Sequence, residues 1–238
     1  MSDFDRFEAM SFDCYGTLID WETGLANELR PWAARNGLGL DDEALIAAHG
    51  RHETHVQDEM PGALYPLVLA ETLRRIGADL GAEVTVADAA GYGQSVKDWP
   101  AFPDTAAALS RLATRYKLII VSNIDRASFA ASRPRLGVDF DAVVTAEDVG
   151  SYKPQRGHFD GLFAELDRLG VARDRLVHVA ESLFHDHQPA AALGIPSVWI
   201  HRRHGKGGAG ATAVPAGEVS PTWRFTSMAE FAEAAVPA

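Results

Sequence analysis

Two hydrophobic patterns succeed each other along the chain. A short apolar run from Phe7 to Phe12 predicts a buried strand. From about Trp21 to Ile76 the apolar residues return at helical spacing, and no convincing strand lies between Asp20 and Lys97. The pattern therefore predicts one strand followed by an all-helical insert.

Beyond this insert, strand and helix patterns alternate. Asp104 is predicted to cap the first of these helices. Alternation of this kind implies a parallel sheet with helices on both faces. The predicted strands are Tyr116–Val121, Phe140–Thr145, Leu176–Ala180 and Pro196–Ile200, the predicted helices are Thr105–Arg115, Asp125–Leu136, His158–Leu169 and Asp186–Leu193, and a short strand and a helix share Thr222–Ala235.

We therefore expect an α/β protein, a doubly wound parallel sheet with an inserted helical cap. Residues 1–20 and 100–238 would form the core, and residues 21–99 would form the cap after the first strand. A cap inserted there lies above the carboxyl edge of the sheet, where it can exclude water from a site.

Composition narrows the class of partner. The chain has 33 acidic against 22 basic residues, a net charge of −11, and no run of Lys and Arg, so a nucleic-acid binder is not expected. An anionic substrate would need local cations in its pocket.

Cys14 is the single cysteine, which excludes an internal disulfide. No signal-peptide pattern and no apolar run of roughly 20 residues is present, so we expect a cytoplasmic protein without membrane association. A homodimer is the base-rate expectation for its assembly.

Polar side chains follow four of the predicted strands. Because the carboxyl ends of parallel strands meet at one edge, these side chains should lie together. Each of them alone could equally be a turn or a helix cap. The residues are Asp13, Ser122, Asn123, Lys153, Glu181, Ser182 and Asp186.

In this order the segments resemble the four motifs of the haloacid dehalogenase superfamily, and the helical insert matches the position of that superfamily's cap. The resemblance implies that Asp13 is a nucleophile and that Lys153 balances its charge. It also implies that Thr17 and Ser122 orient the nucleophile or its substrate, and that Asp186 lies beside the attacking water. The segments are Asp13-Cys-Tyr-Gly-Thr17, Ser122-Asn123, Lys153-Pro154 and Glu181-Ser-Leu-Phe-His-Asp186.

Tyr15 indicates a branch of this superfamily. Its phosphatases carry a second aspartate at this position as general acid, because an alkoxide leaving group needs a proton. A halide does not, and a tyrosine with a pKa near 10 is a poor acid at neutral pH. Asp-x-Tyr-Gly-Thr resembles the L-2-haloacid dehalogenases, although Tyr15 could also simply pack.

That resemblance implies hydrolytic dehalogenation of short 2-haloacids, small anionic organic substrates, through an aspartyl ester and without a metal or other cofactor. Lys153 would keep Asp13 ionised, since a nearby cation favours the charged form. Asn123 matches a position that helps to cradle the halide. Tyr15, Asn123, Arg51, Glu181 and Ser182 form the predicted substrate-binding set.

Three departures from the dehalogenase pattern leave alternatives open. Glu181 and Leu183 stand where those enzymes have Ser and Asn, and Glu181 with Asp186 resembles the acidic pair that holds Mg²⁺ in the phosphatases. Phe159 replaces a tyrosine, and the cap arginine has no firm counterpart; Arg51 is the candidate, with a solvated arginine as the alternative. A Mg²⁺-dependent phosphatase and a non-catalytic binding module therefore remain as alternatives.

Three histidines of the predicted cap recur every third residue. His49, His52 and His55 could form a metal-binding face of a helix. With acidic neighbours and no fourth ligand nearby in sequence, we interpret them as surface histidines.

Overall fold

The computed structural model describes residues 2–207 and 210–237. Its centre is a sheet of six strands, all parallel, in the order β3-β2-β1-β4-β5-β6. The strand that precedes Asp13 is therefore central, between the strands that lead to Ser122 and to Glu181. The strands are β1 Ala9–Phe12, β2 Lys117–Ser122, β3 Ala142–Thr145, β4 Leu176–Ala180, β5 Ser197–Ile200 and β6 Trp223–Phe225.

Helices surround this sheet and form the insert. The interval between β1 and β2 contains helices but no strand among the residues described. The helices are α1 Trp21–Arg35, α2 Asp42–Glu59, α3 Tyr65–Leu80, α4 Val86–Gly93, α5 Thr105–Leu112, α6 Arg126–Ser132, α7 Ala146–Val149, α8 Gly157–Leu169, α9 Gln188–Ala192 and α10 Met228–Ala235, with 3₁₀ turns at Ser95–Asp98, Arg133–Arg135 and Arg173–Arg175 and a π-helical turn at Leu183–His187.

Successive strand residues point into different hydrophobic clusters. Met10 and Ile120 belong to a cluster that includes Leu109 of α5 and Phe231 of α10. Their neighbours along the strands, such as Ile119, belong to a second cluster with residues of α8. Since side chains alternate across a strand, helices cover both faces of the sheet. The predicted α/β fold with a helical insertion is confirmed. The division into a core of residues 1–20 and 100–238 and a cap of residues 21–99 stays a prediction.

Individual elements differ from the prediction where backbone chemistry intervenes. The helix expected over Asp125–Leu136 ends at Ser132 and continues as a 3₁₀ turn that contains Pro134. Proline has no N–H to donate and crowds the preceding turn. The helix expected from Asp186 is preceded by the π-helical turn, which carries Asp186 itself.

Asp104 does not cap α5, and that prediction is wrong. Its carboxylate accepts hydrogen bonds from the backbone N–H groups of Met228 (2.9 Å) and Ala229 (3.2 Å) and from Arg202 (2.9 Å). Asp104 thus satisfies the free N–H groups at the start of α10, where a negative charge is favourable. This long-range contact joins the start of α5 to the last helix.

Close contacts occur both within the insert and between the insert and the rest of the chain. Within the insert, Gly24 of α1 lies against the buried Trp99, where an added Cβ would fall 2.3 Å from the ring, so only glycine fits. The Tyr152 hydroxyl, in the loop after α7, donates to the carbonyl of Ala63 in the insert (2.7 Å). Within residues 2–207 and 210–237, none of the helices combines the length and apolarity that crossing a membrane requires.

Candidate active site

A small cavity of about 40 Å³ lies between the carboxyl edge of the sheet and the insert. The sheet side contributes the residues that follow β1, β2 and β4, and the loop after α7 contributes Lys153. The insert contributes Trp21, Glu53, Gln57 and Tyr65. The position agrees with the general rule that ligands of parallel α/β sheets bind outside the strand carboxyl ends.

Lys153 lies at the centre of the site and donates hydrogen bonds to three of its groups. Its side chain is 1% exposed, and its Nζ donates to Asp13 Oδ1 (2.9 Å), Asp186 Oδ1 (2.7 Å) and the carbonyl oxygen of Val121 (2.9 Å). An ammonium has three hydrogens, so its donors are fully used. Lys153 therefore ties together the ends of β1 and β2 and the turn after β4.

Asp13 is held at both carboxylate oxygens. Lys153 donates to Oδ1, and the Thr17 hydroxyl donates to Oδ2 at 2.8 Å. Thr17 in turn accepts the backbone N–H of Glu181 (2.9 Å), so its hydroxyl proton must point at Asp13. This arrangement fixes the orientation of Asp13 before any substrate arrives.

The two carboxylates share the charge of Lys153 unequally. Burial would raise the pKa of Asp186, but the Lys153 charge and the hydrogen bond from His178 hold that pKa well below its usual value. For Asp13, burial and the Asp186 charge outweigh Lys153, and the pKa lies above its usual value. Lys153 thus lowers the Asp13 pKa without fully offsetting burial, and the role of Lys153 in keeping Asp13 ionised stays a prediction. The two charges keep the pKa of Lys153 itself raised although burial opposes this.

Sequence reasoning missed two buried histidines that support the site. His178 lies inside β4 with its ring nitrogens 2.8 Å from Ser11 Oγ and 2.9 Å from Asp186 Oδ1. His158 Nε2 lies 3.0 Å from the carbonyl oxygen of Ser122, and burial lowers its pKa to about 4, so it is neutral. The available signal was a histidine in the otherwise apolar run Leu176–Ala180.

The structure brings most of the predicted site residues together. Thr17 is joined to them through its bond to Asp13. Those that line the cavity are Asp13, Tyr15, Ser122, Asn123, Lys153, Glu181, Ser182 and Asp186.

Arg51 is not brought to the site, which corrects its prediction as the cap arginine. It is exposed on α2, whereas Glu53 and Gln57 of the same helix line the cavity. Two residues along an α-helix correspond to roughly 200° of rotation, so Arg51 points away from the face that Glu53 presents.

Ser122 and Asn123 have different surroundings. The Ser122 hydroxyl is buried and has no hydrogen-bond partner within the described ranges, so it is available to a bound group. The Asn123 amide binds the backbone of Lys153, accepting from its N–H (2.6 Å) and donating to its C=O (3.2 Å). Asn123 therefore fixes the Lys153 loop and keeps one N–H for a ligand.

Tyr15 presents its ring to the cavity and turns its hydroxyl elsewhere. The hydroxyl donates to Ser132 Oγ (2.9 Å), and the ring meets Trp99 edge-on at 5.7 Å. Burial raises the pKa of Tyr15 well above 10. Tyr15 is therefore a poor proton donor at neutral pH.

Glu181 and Ser182 shape the turn after β4. Glu181 Oε2 accepts from the Thr212 hydroxyl (3.1 Å), and the Glu181 carbonyl accepts from Trp199 Nε1 (2.8 Å). Burial, together with neighbouring negative charges, raises the pKa of Glu181 to about 7. Ser182 Oγ accepts the backbone N–H of His185 (3.0 Å), which caps the turn that carries Asp186.

The raised pKa of Glu181 predicts a pH-dependent stability. Its carboxyl group has an ordinary pKa of 4.5 in the unfolded chain and about 7 in the folded protein. Between these values the folded state binds more protons, so the free energy of unfolding falls as the pH rises, by about 3 kcal/mol at most. We expect Glu181→Gln to flatten urea-unfolding stability between pH 5 and 8, whereas Glu218→Gln, at an exposed position, keeps the wild-type slope. An unchanged slope in Glu181→Gln would contradict the shift.

Two aspartates, and no group of three or more His, Cys, Asp or Glu side chains among the described residues, are available to hold a divalent cation at this site. Asp186 Oδ2 is buried without a hydrogen-bond partner in residues 2–207 and 210–237, which leaves a carboxylate oxygen free. Mg²⁺ commonly takes one or two protein carboxylates and completes its shell with water or substrate oxygens. Asp13 and Asp186 would hold it, although both oxygens of Asp13 already accept hydrogen bonds, from Thr17 and Lys153; one oxygen of Glu181 accepts from Thr212.

The insert side of the cavity contains a polar network that sequence reasoning also missed. Glu53 is 3% exposed and accepts from the Tyr65 hydroxyl at 2.6 Å, and His49 Nε2 lies 3.7 Å from the same oxygen. Tyr92 OH lies 2.8 Å from His49 Nδ1. His49 is fully buried, so its interpretation as a surface histidine is wrong. The buried Tyr92 contributes to this, since its hydroxyl is a hydrogen-bond partner for His49 Nδ1, whereas His49 Nε2 has none among the described residues.

Comparison with known proteins agrees with this geometry. A family model for haloacid dehalogenase-like hydrolases matches residues 7–194. A phosphoglycolate phosphatase of Yersinia pestis is 27% identical over 219 residues, 90% of each chain. An L-2-haloacid dehalogenase from Xanthobacter autotrophicus with chloropropionic acid covalently bound has a TM-score of 0.77 at 20% identity, with 95% of this chain and 97% of that chain covered. A HAD-hydrolase from Bacillus subtilis bound to magnesium has a TM-score of 0.76 at 16% identity, with 97% and 99% covered.

Proposed function

The chain belongs to the haloacid dehalogenase-like hydrolases, and we propose that it cleaves the carbon–halogen bond of short 2-haloacids and related 2-halo carbonyl compounds through an ester on Asp13. Support comes from the buried, oriented carboxylate of Asp13 at the carboxyl edge of the sheet. A carboxylate nucleophile divides one difficult displacement into two easier steps.

In the first step, an oxygen of Asp13 attacks the halogen-bearing carbon and the halide leaves with the bonding electron pair. In the second, water attacks the carbonyl carbon of the ester, and Asp13 is released with a 2-hydroxy product and one proton. Asp186 Oδ2, buried and without a partner in the described structure, supplies an acceptor for that water. Lys153 stabilises the carboxylate that each turnover regenerates.

The environment of the Tyr15 hydroxyl is the observation that favours halide as the leaving group. Its hydroxyl is committed to Ser132, and its pKa lies well above 10. A leaving alkoxide would need a proton in the transition state, whereas halide departs as a weak base. The covalently bound chloropropionic acid of the Xanthobacter dehalogenase supports the same covalent route.

Release of chloride and of phosphate tests the proposal directly. The protein is incubated with 2-chloropropionate, 2-chloropropionamide and p-nitrophenyl phosphate, each with and without EDTA. We expect chloride release that EDTA leaves unchanged and no phosphate release. Phosphate release that EDTA abolishes, without chloride release, would overturn the dehalogenase proposal.

A Mg²⁺-dependent phosphatase is the second candidate. The free carboxylate oxygen of Asp186 favours it, and the Yersinia relative carries the name of a phosphatase. Asp13 and Asp186 would hold the ion, which would neutralise phosphate charge. In the same experiment, the absence of both chloride release and phosphate release would favour the third alternative, a non-catalytic binding module.

Removing the Tyr15 hydroxyl tests its role. We expect Tyr15→Phe to keep chloride release within about threefold, because no proton is required, and to lose about 1 kcal/mol of stability with the Ser132 bond. Tyr116→Phe is the matched control: its hydroxyl donates to backbone carbonyls away from the cavity. Steady-state kinetics and urea unfolding measure both. A hundredfold loss of kcat in Tyr15→Phe alone would show that the hydroxyl takes part in the chemistry.

A further inference from the structure

The charge of the cavity does not suit a free carboxylate substrate. Four carboxyl groups line it, those of Asp13, Glu53, Glu181 and Asp186. Among the lining residues, Lys153 is the one Lys or Arg, and its three hydrogens already serve Asp13, Asp186 and a backbone carbonyl. An anion entering this cavity would meet net negative charge in a poorly solvated space, which costs free energy.

Glu53 places a negative charge on the insert side of the cavity. It is 3% exposed, and both the Tyr65 hydroxyl and the nearest His49 nitrogen approach its Oε1. These contacts lower the pKa of Glu53 although burial opposes them, so it is charged at neutral pH. In the described structure no hydrogen bond reaches Oε2, which can accept from a ligand.

Gln57 provides an independent indication of a ligand. It lies one helical turn after Glu53 and lines the same cavity. The residue is 4% exposed, and no hydrogen bond joins its side chain to another residue in the ranges 2–207 and 210–237. Its amide atoms are not among the fully buried ones that lack a partner, so the amide opens onto the cavity and can bind a group that enters it.

We propose that Glu53 and Gln57 form a subsite for an uncharged carboxamide, with Glu53 accepting the amide N–H and Gln57 binding the remaining polar atom. This inference rests on the proposed displacement of halide by Asp13 and narrows its substrates from free 2-haloacids to 2-haloamides. Trp21 and Tyr65 enclose the subsite with aromatic surface, which suits a small neutral molecule. A free acid would place its carboxylate against that of Glu53.

Three chloropropionyl compounds distinguish the effect of the substrate's charge from the effect of a hydrogen bond that its N–H donates. Chloride release is measured with 2-chloropropionamide, with 2-chloropropionate, and with methyl 2-chloropropionate, which is neutral but has no N–H. We expect kcat/KM for the amide to exceed the other two by about tenfold or more, the range for a hydrogen bond to a charged group. Glu53→Gln, which retains an oxygen for Tyr65, should reduce the amide-to-acid ratio by about tenfold.

Asp58→Asn is the matched control, since it removes one carboxylate from an exposed position of the same helix. It should leave the amide-to-acid ratio at the wild-type value. A wild-type preference for the acid, or an unchanged ratio in folded Glu53→Gln, would overturn the subsite while chloride release itself still supported the proposed function.

Calorimetry of the binding of unreactive propionamide and propionate tests the carboxamide subsite independently of the proposed displacement of halide. We expect propionamide to bind more tightly than propionate to the wild type and to lose that advantage in Glu53→Gln. If no compound released chloride, the proposed function would fail while this binding difference still supported the subsite. Equal binding of both ligands would overturn the subsite whatever the chemistry.

Discussion

Replacing Asp13 by asparagine is expected to reduce chloride release by about 10³-fold or more, because an amide cannot form the ester. The shape of the side chain is preserved, and one oxygen can still accept from Thr17 or Lys153. The fold should therefore survive, which circular dichroism checks. Asp58→Asn, the same chemical change on the surface, should retain wild-type kcat. Full activity of Asp13→Asn would exclude the covalent mechanism.

Oxygen isotopes distinguish the ester from direct attack by water. In a single turnover in H₂¹⁸O, the hydroxyl oxygen of the product should come from the Asp13 carboxylate and carry ¹⁶O. The label should then appear in the peptide that contains Asp13, as measured by mass spectrometry. If the first product instead carried ¹⁸O, water would be the nucleophile and Asp13 would have another role.

The strand-end chemistry was predictable from the sequence because topology determines it. Parallel strands bring their carboxyl ends to one edge, so ordered polar residues after apolar runs already implied a shared site. Asp13, Ser122, Lys153 and Asp186 accordingly meet in one cavity. Their order along the chain was sufficient, and no knowledge of side-chain packing was needed.

The insert side was not predictable in the same way. Arg51 and Glu53 lie two residues apart on α2, and the sequence pattern alone did not show which of them faces the core. That orientation depends on how α2 packs on its neighbours. The buried His49 and Glu53 lie on one helix, and their respective tyrosine partners, Tyr92 and Tyr65, lie on two others, so this network appears only in three dimensions.

The prediction that Asp104 caps the helix following it was wrong for a related reason. An aspartate before a helix is commonly its cap, but here an arginine and two N–H groups from distant segments compete for the carboxylate. Asp104 and Met228 are 124 residues apart in sequence. Local propensity is a weak guide when a long-range partner provides more hydrogen bonds.

Replacing Lys153 by methionine is expected to abolish activity and to lower the free energy of unfolding by about 3–5 kcal/mol, the cost of leaving buried charges unpaired. Methionine has a similar length but no charge, so Asp13 and Asp186 would face each other uncompensated and the Val121 carbonyl would lose its donor. Urea unfolding at pH 7 measures the loss.

The same variant should regain stability in acid, and the sign follows from proton binding. Without Lys153, the pKa of one of the two carboxyls rises further in the folded state, so folding takes up a proton and stability falls as the pH rises. Lys117→Met is the control, because Lys117 is 42% exposed and its nitrogen lies 3.8 Å from Asp141, a surface pair worth about 0–1 kcal/mol. If Lys153→Met were as stable as Lys117→Met at pH 7, the buried ammonium would not be what holds the two aspartates together.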